Sequence, residues 1–154
     1  MWKIENTDIW ESIIDQNEPM EFDWVGIDIN GYLAIFSTFN TGYTPQCVTT
    51  SLKLYNELVS FIDALAKTSA SIKITNGNGN YRDWKEFAQK GIFGYDNENI
   101  HSTTHPDRYR LLYKPQTPII AKDISDLKKF ETIIPTFNIA FSDFLTFEEM
   151  KKSL

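Results

Sequence analysis

The sequence predicts an α+β fold: a mixed, mainly antiparallel sheet built on a hairpin at residues 23–39 and covered by helices at about 50–67 and 81–90. Three observations predict it. Asn30-Gly31 lies between two apolar runs rich in β-branched and aromatic residues, and Asn-Gly tolerates the two successive positive φ angles of a type I′ hairpin turn. Leu52, Tyr55, Leu58, Val59, Ile62 and Leu65 recur at the spacing of one helix face. Finally, strand-like and helix-like segments alternate irregularly, which favours α+β over a doubly wound sheet.

Each element has its own signal. Ile9, Trp10, Ile13 and Ile14 suit one face of a short first helix, with Thr7 or Asp8 as its cap and Pro19 closing it off. In the hairpin, Trp24, Gly26 and Asp28 share one face and Val25, Ile27 and Ile29 the other. Both faces carry bulk, so cover in part is expected on both sides; a lone hairpin is marginal in water. Gly26 in a strand marks a bulge or a close backbone approach.

After a Gly/Pro loop at 40–45, Thr49, Thr50 or Ser51 caps the long helix, whose other face carries Lys53, Asn56, Glu57, Ser60 and Asp63 as a solvated face should. Residues 71–75 read as a short strand and 76–80 as a loop. A helix follows with Tyr81, Trp84, Phe87 and Ala88 on one face and Gly91 as its C-terminal cap. Asn80, with Asp83 three residues on, resembles a capping box. Residues 92–96 and 108–114 form a second, long-looped hairpin, and 119–121 a short strand. Residues 124–134 suit a helix with Leu127, Phe130, Ile133 and Ile134 inward, 136–141 a last strand, and Phe144, Phe147 and Met150 a terminal helix. With no internal repeat or linker, residues 1–154 form one domain.

Composition narrows the function. Hydrophobic residues make up 42% of the chain, ample for a core. Asp plus Glu number 21 against 15 Lys plus Arg, a net charge of −6, and the nearest approaches to a basic run are Lys128-Lys129 and Lys151-Lys152. Nucleic acid is therefore not an expected partner, since phosphate affinity needs clustered cations. The single Cys47 excludes an internal disulfide and a Cys-based zinc site. No secretory h-region follows Met1, and no apolar run approaches the ~20 residues that span a bilayer. The expectation is a cytoplasmic protein with no membrane partner and no cofactor.

Candidate chemistry is sparse. His101 and His105, with Glu98 and Asp107 nearby, could hold a divalent ion on a loop, which would suit a small metal-dependent hydrolase. A polar loop that happens to hold both histidines is the plainer reading. The strand, the Asn-Gly-Asn-Gly-Asn run at 76–80 and the following helix look like the start of a phosphate cradle, but the third Gly of the dinucleotide fingerprint and the Gly-Lys-Ser/Thr of a P-loop are missing. Cys47 could act as a nucleophile only beside a base, and free Cys residues are mostly small buried hydrophobes. Asp28 and Asp96 could work as acid and base only if adjacent; an Asp two residues before a turn more often accepts backbone N–H groups.

The pattern Trp24-x-Gly26-x-Asp28-x-x-Gly31-x-x-Ala34-x-Phe36, Gly42-x-x-Pro45, Trp84-x-x-x-Ala88-x-x-Gly91-x-Phe93-x-Tyr95-Asp96, Tyr109-x-Leu111 and Pro115 resembles a group of small uncharacterised bacterial proteins. Some of these sit beside secreted polymorphic toxins and are regarded as their immunity proteins. The resemblance covers about residues 23–120 and rests on glycines, aromatics and turns, so it implies a scaffold and carries over no functional residue.

The leading expectation is thus a non-catalytic, cytoplasmic protein-binding module that neutralises a basic protein toxin through an acidic, aromatic-bearing surface. Acidic inhibitors of cationic proteins gain association rate from charge complementarity. The candidate contact residues are Tyr43, in the Gly/Pro loop, and the carboxylates Glu57, Asp63, Asp96, Glu98 and Asp107. The alternatives are the hydrolase using His101, His105 and Asp107, and a homo-oligomeric structural or regulatory module.

Overall fold

Asp28, two residues before Asn30-Gly31, is the hinge of the hairpin. The computed structural model describes residues 1–98 and 107–154. In it strand β1 (Phe22–Ile27) pairs antiparallel with β2 (Leu33–Thr38), with Trp24 opposite Phe36. The link is not the expected two-residue type I′ turn. Ile27 pairs with Leu33, so five residues connect the strands, and only Gly31 takes a positive φ (80°). The cause is the Asp28 side chain. Its Oδ1 accepts from the backbone N–H groups of Asn30 (2.9 Å) and Tyr32 (2.9 Å). An Asp that bonds its own turn supports a different local geometry from the one Asn-Gly favours when it acts alone.

The remaining strands are β3 (Ser71–Lys73), β4 (Phe93–Asn97), β5 (Arg108–Pro115) and β6 (Phe144–Thr146); the helices are α1 (Thr7–Asp15), α2 (Leu52–Ala64), α3 (Arg82–Gln89) and α4 (Phe147–Ser153). The six-stranded sheet runs β1-β2-β4-β5-β3, with β6 also on β5. Among the described residues the β2–β4 strand pair is parallel and the other named strand pairs are antiparallel. The chain is therefore α+β with a mixed, mostly antiparallel sheet.

Helix starts are set by side chains. Asn6, not Thr7 or Asp8, caps α1 by accepting from the Asp8 N–H (2.8 Å), and Ser51 caps α2 by accepting from Leu54 (3.2 Å). Gly91 ends α3 with φ 87°, as its position after the last apolar residue implies. Only Trp10 and Ile13 of α1 are buried; Ile9 and Ile14 face outward, so the apolar face is narrower than its four large residues suggest.

Both faces of the sheet are covered. On one, Trp24, Phe36, Tyr95 and Tyr109 stack or meet edge to face beneath Phe137, Phe141, Phe147 and Met150 from the C-terminal segment. On the other, Val25, Leu33 and Ile35 pack with Leu58 and Ile62 of α2, Phe87 of α3, and Leu127, Phe130, Ile133 and Ile134. Gly26 is a close approach: a Cβ there would stand 2.9 Å from the Phe137 ring.

Two expectations beyond residue 120 fail. Residues 124–134 form no α-helix; 3₁₀ turns occupy Ala121–Asp123 and Ser125–Phe130. Ile124, Leu127, Phe130 and Ile133 recur every third residue, which aligns side chains on a 3₁₀ turn, and Pro135 bars an α-helix just before it. Residues 136–141 make no strand. They cross the open edge of β1 through an isolated bridge and single bonds, Ile27 N–H to the Pro135 carbonyl and Phe137 N–H to the Ile27 carbonyl. Strand β6 was not anticipated, because three residues carry too little alternation to read. Among the described residues no helix is long and apolar enough to cross a membrane.

Candidate functional site

The parallel pair creates a special place. Antiparallel strands present mixed ends, whereas β2 and β4 both finish on the same side of the sheet, and crevices at the carboxyl ends of parallel strands are common binding places. At this end a polar row crosses four strands in register: Asp23 on β1, Ser37 on β2, Asp96 on β4 and Arg110 on β5. The row lies on the face covered by α2 and α3. Above it is a cleft of about 250 Å³, walled by Trp2, Phe39, Trp84 and Phe87 and rimmed by Glu21 and Asp83. A second hollow adjoins it across Trp2, with Asp63, Asp83 and Glu86 on its margin.

Local structure positions each wall. Asp83 and Trp84 stand in the first turn of α3, and the Trp84 indole N–H donates to the Tyr95 carbonyl (3.2 Å), which fixes the ring over β4. Gly94 admits this packing, since a Cβ there would stand 3.0 Å from Trp84. Trp2 and Phe39 are 67% and 39% exposed, so two aromatic rings stand beside the cleft in contact with solvent. The Asp23 side chain is only 15% exposed and lies 3.6 Å from the Met1 amino group. Burial raises its pKa above the ordinary carboxylate value, opposed by the Met1 ammonium and a hydrogen bond from Ser37. Arg110 donates to the Thr75 hydroxyl (2.8 Å) at the far end of the row. Lys67 and Arg82 both reach Glu86, and Lys67 is the main cause of that carboxyl's lowered pKa.

The residues singled out from sequence separate into two groups. Asp96 lies in the cleft and Asp63 on the adjoining hollow. The others lie elsewhere. Glu98 is ion-paired with Arg108, and Glu57 with Lys129 (2.5 Å). Asp107 is exposed in a left-handed conformation, its carbonyl accepting from the Phe147 N–H. Tyr43 is half-buried rather than exposed: its ring packs on Phe147, Lys151 lies over it, and its carbonyl accepts from the Tyr109 hydroxyl. His101 and His105 lie outside the described residues, so the metal reading of that loop finds no geometry. Among the described residues no group of three metal-ligating side chains converges.

Other chemical readings are corrected. Asp28 and Asp96 form no acid–base pair, since one sits at the turn end of β2 and the other beside Ser37 at the opposite end. Cys47 is half-buried in the turn Gln46–Thr49, and burial pushes its thiol pKa up, away from a reactive thiolate. The loop before α3 leads to a helix whose first turn carries Asp83, which opposes an anion. Glu21, Asp23, Asp83, Trp2 and Phe39 were not read as site residues. The one available signal was alternation: Asp23 sits opposite in phase to Trp24, so it must face the helix side.

No protein-family model, curated protein or solved structure matches the chain. The arrangement itself is suited to holding a cation. Carboxylates supply charge, aromatic faces supply quadrupole attraction, and partial enclosure reduces screening.

Proposed function

We propose that this chain is a non-catalytic protein-binding module, an immunity-type protein that neutralises a basic toxin in the cytoplasm, and that it meets its partner at the acidic, aromatic face around the cleft. The supporting observation is the coincidence of exposed Trp2 and Phe39 with Glu21, Asp63, Asp83 and Asp96 on two adjoining hollows. Exposed aromatics beside a mainly acidic rim, with Lys90 as the counter-charge on the second hollow, have the composition of an interface hot spot with electrostatic steering. The cleft has room for a lysine or arginine side chain between aromatic walls. The resemblance of residues 23–120 to small uncharacterised bacterial proteins, some of which sit beside secreted toxins, is consistent with this reading.

The test expresses the products of the genes adjacent to this chain's own and measures their association with it by surface plasmon resonance; a basic protein is the expected binder. The association rate is expected to fall at least about tenfold from low to high salt. Trp2→Ala should weaken binding by about 2 kcal/mol, and Asp63→Lys with Asp83→Lys should slow association further. A salt-independent rate, or full binding by the charge-reversed variant, rules this face out.

A further inference from the structure

We propose that Asn78 is the chain's main site of spontaneous deamidation, while its other two Asn-Gly dipeptides are slowed by turn hydrogen bonds. The chain has Asn-Gly at Asn30-Gly31, Asn76-Gly77 and Asn78-Gly79. In each, the glycine backbone nitrogen can lose its proton to solvent base and attack the Asn side-chain carbonyl carbon. A carbon–nitrogen bond forms, the bond to Nδ2 breaks, and ammonia leaves with a proton from water. Solvent water then opens the cyclic imide at either carbonyl, giving aspartate or isoaspartate. Water enters, ammonia leaves, and no other reactant is needed. Glycine permits the approach because it has no Cβ to block it.

The fold separates the three dipeptides. At Asn30-Gly31 the nucleophilic Gly31 N–H is bonded to the Asp28 carbonyl (2.9 Å), the Asn30 N–H to Asp28 Oδ1 (2.9 Å), and Asn30 Nδ2 faces Asp28 Oδ2 (3.4 Å). Nucleophile and electrophile are both tied to one buried carboxylate residue. At Asn76-Gly77 the Gly77 N–H donates to the buried Thr75 hydroxyl (3.1 Å), and the Gly77 carbonyl accepts from Lys73 Nζ (3.0 Å). At Asn78-Gly79 both residues are exposed, and among the described residues the Gly79 N–H makes no hydrogen bond. The product carries one more negative charge, −7 from −6, on the loop that leads into α3.

The experiment incubates the folded full-length chain at neutral and mildly alkaline pH in heavy-oxygen water, then maps peptides by mass spectrometry. Each hydrogen bond that must break first slows attack about fivefold, so Asn78 should convert about fivefold faster than Asn76 and more than about tenfold faster than Asn30. The rate should rise with pH, Asn78→Gln should remove the main product, and unfolding in urea should bring the three rates together. Conversion of Asn30 or Asn76 as fast as Asn78 in the folded chain overturns the proposal, as does an unchanged ranking in urea.

Discussion

The Asp28 carboxylate accepts a hydrogen bond (3.0 Å) from the backbone N–H of Phe141, 113 residues further along the chain. The same buried side chain accepts from Asn30 and Tyr32. One residue therefore shapes the first hairpin and anchors the C-terminal segment that roofs the aromatic face. Asp28→Ala leaves three backbone donors without this acceptor and should lower the unfolding free energy by about 3 kcal/mol, measured by urea denaturation. Asp28→Asn keeps one acceptor oxygen and should cost about half as much. A change within about 0.5 kcal/mol for the alanine variant would contradict this role.

Gly26 and Phe137 make a second long-range relationship. A Cβ at 26 would lie 2.9 Å from Phe137, 3.1 Å from Phe36 and 3.3 Å from Trp24, all buried rings. Gly26→Ala should therefore destabilise by about 1–3 kcal/mol through overpacking, despite the better strand preference of alanine. Combining it with Phe137→Leu should give a cost smaller than the sum of the singles. Strict additivity in that double-mutant cycle would show that the two positions do not compete for space.

Trp24 and Tyr109 share a buried polar contact. The Trp24 indole N–H donates to the Tyr109 hydroxyl (3.2 Å), which donates to the Tyr43 carbonyl (2.9 Å). Tyr109→Phe removes an acceptor from one buried group and a donor from another, so a loss of about 2 kcal/mol is expected. Faster hydrogen exchange at the indole N–H, seen by NMR, should accompany it. Wild-type exchange in the variant would mean that the indole is satisfied by another group.

Asp23 predicts a pH dependence. Burial raises its folded-state pKa above 3.8, so the folded chain holds this proton more tightly than the unfolded chain does. The stabilisation is complete below 3.8 and is lost as pH rises through the elevated folded value. Asp23→Asn removes this contribution. The melting-temperature difference, variant minus wild type, should thus become more positive as pH rises from 3.8 towards neutrality, followed by scanning calorimetry. A difference that stays flat, or moves the other way, would show that the Met1 ammonium and Ser37 outweigh burial.

The sequence by itself determined the elements whose physics is local. Asn30-Gly31 between apolar runs announced the hairpin. Leu52 to Ile62 announced α2, and Gly91 announced the end of α3. The roles of Gly26 as a close approach and Asp28 as a turn acceptor were legible for the same reason: each follows from one residue's own stereochemistry and its immediate neighbours. Tertiary structure alone decided what depends on distant partners. The parallel pairing of β2 with β4 gathers Asp23, Ser37, Asp96 and Arg110 into one row. No local pattern encodes that register, because it is selected by the summed burial of both sheet faces. Exposure was hidden likewise: Tyr43, in a Gly/Pro loop, is packed under Lys151, while Trp2 is left bare. Composition sets how much apolar surface a chain must bury, but only the packed fold selects which large side chains are left over to meet another molecule.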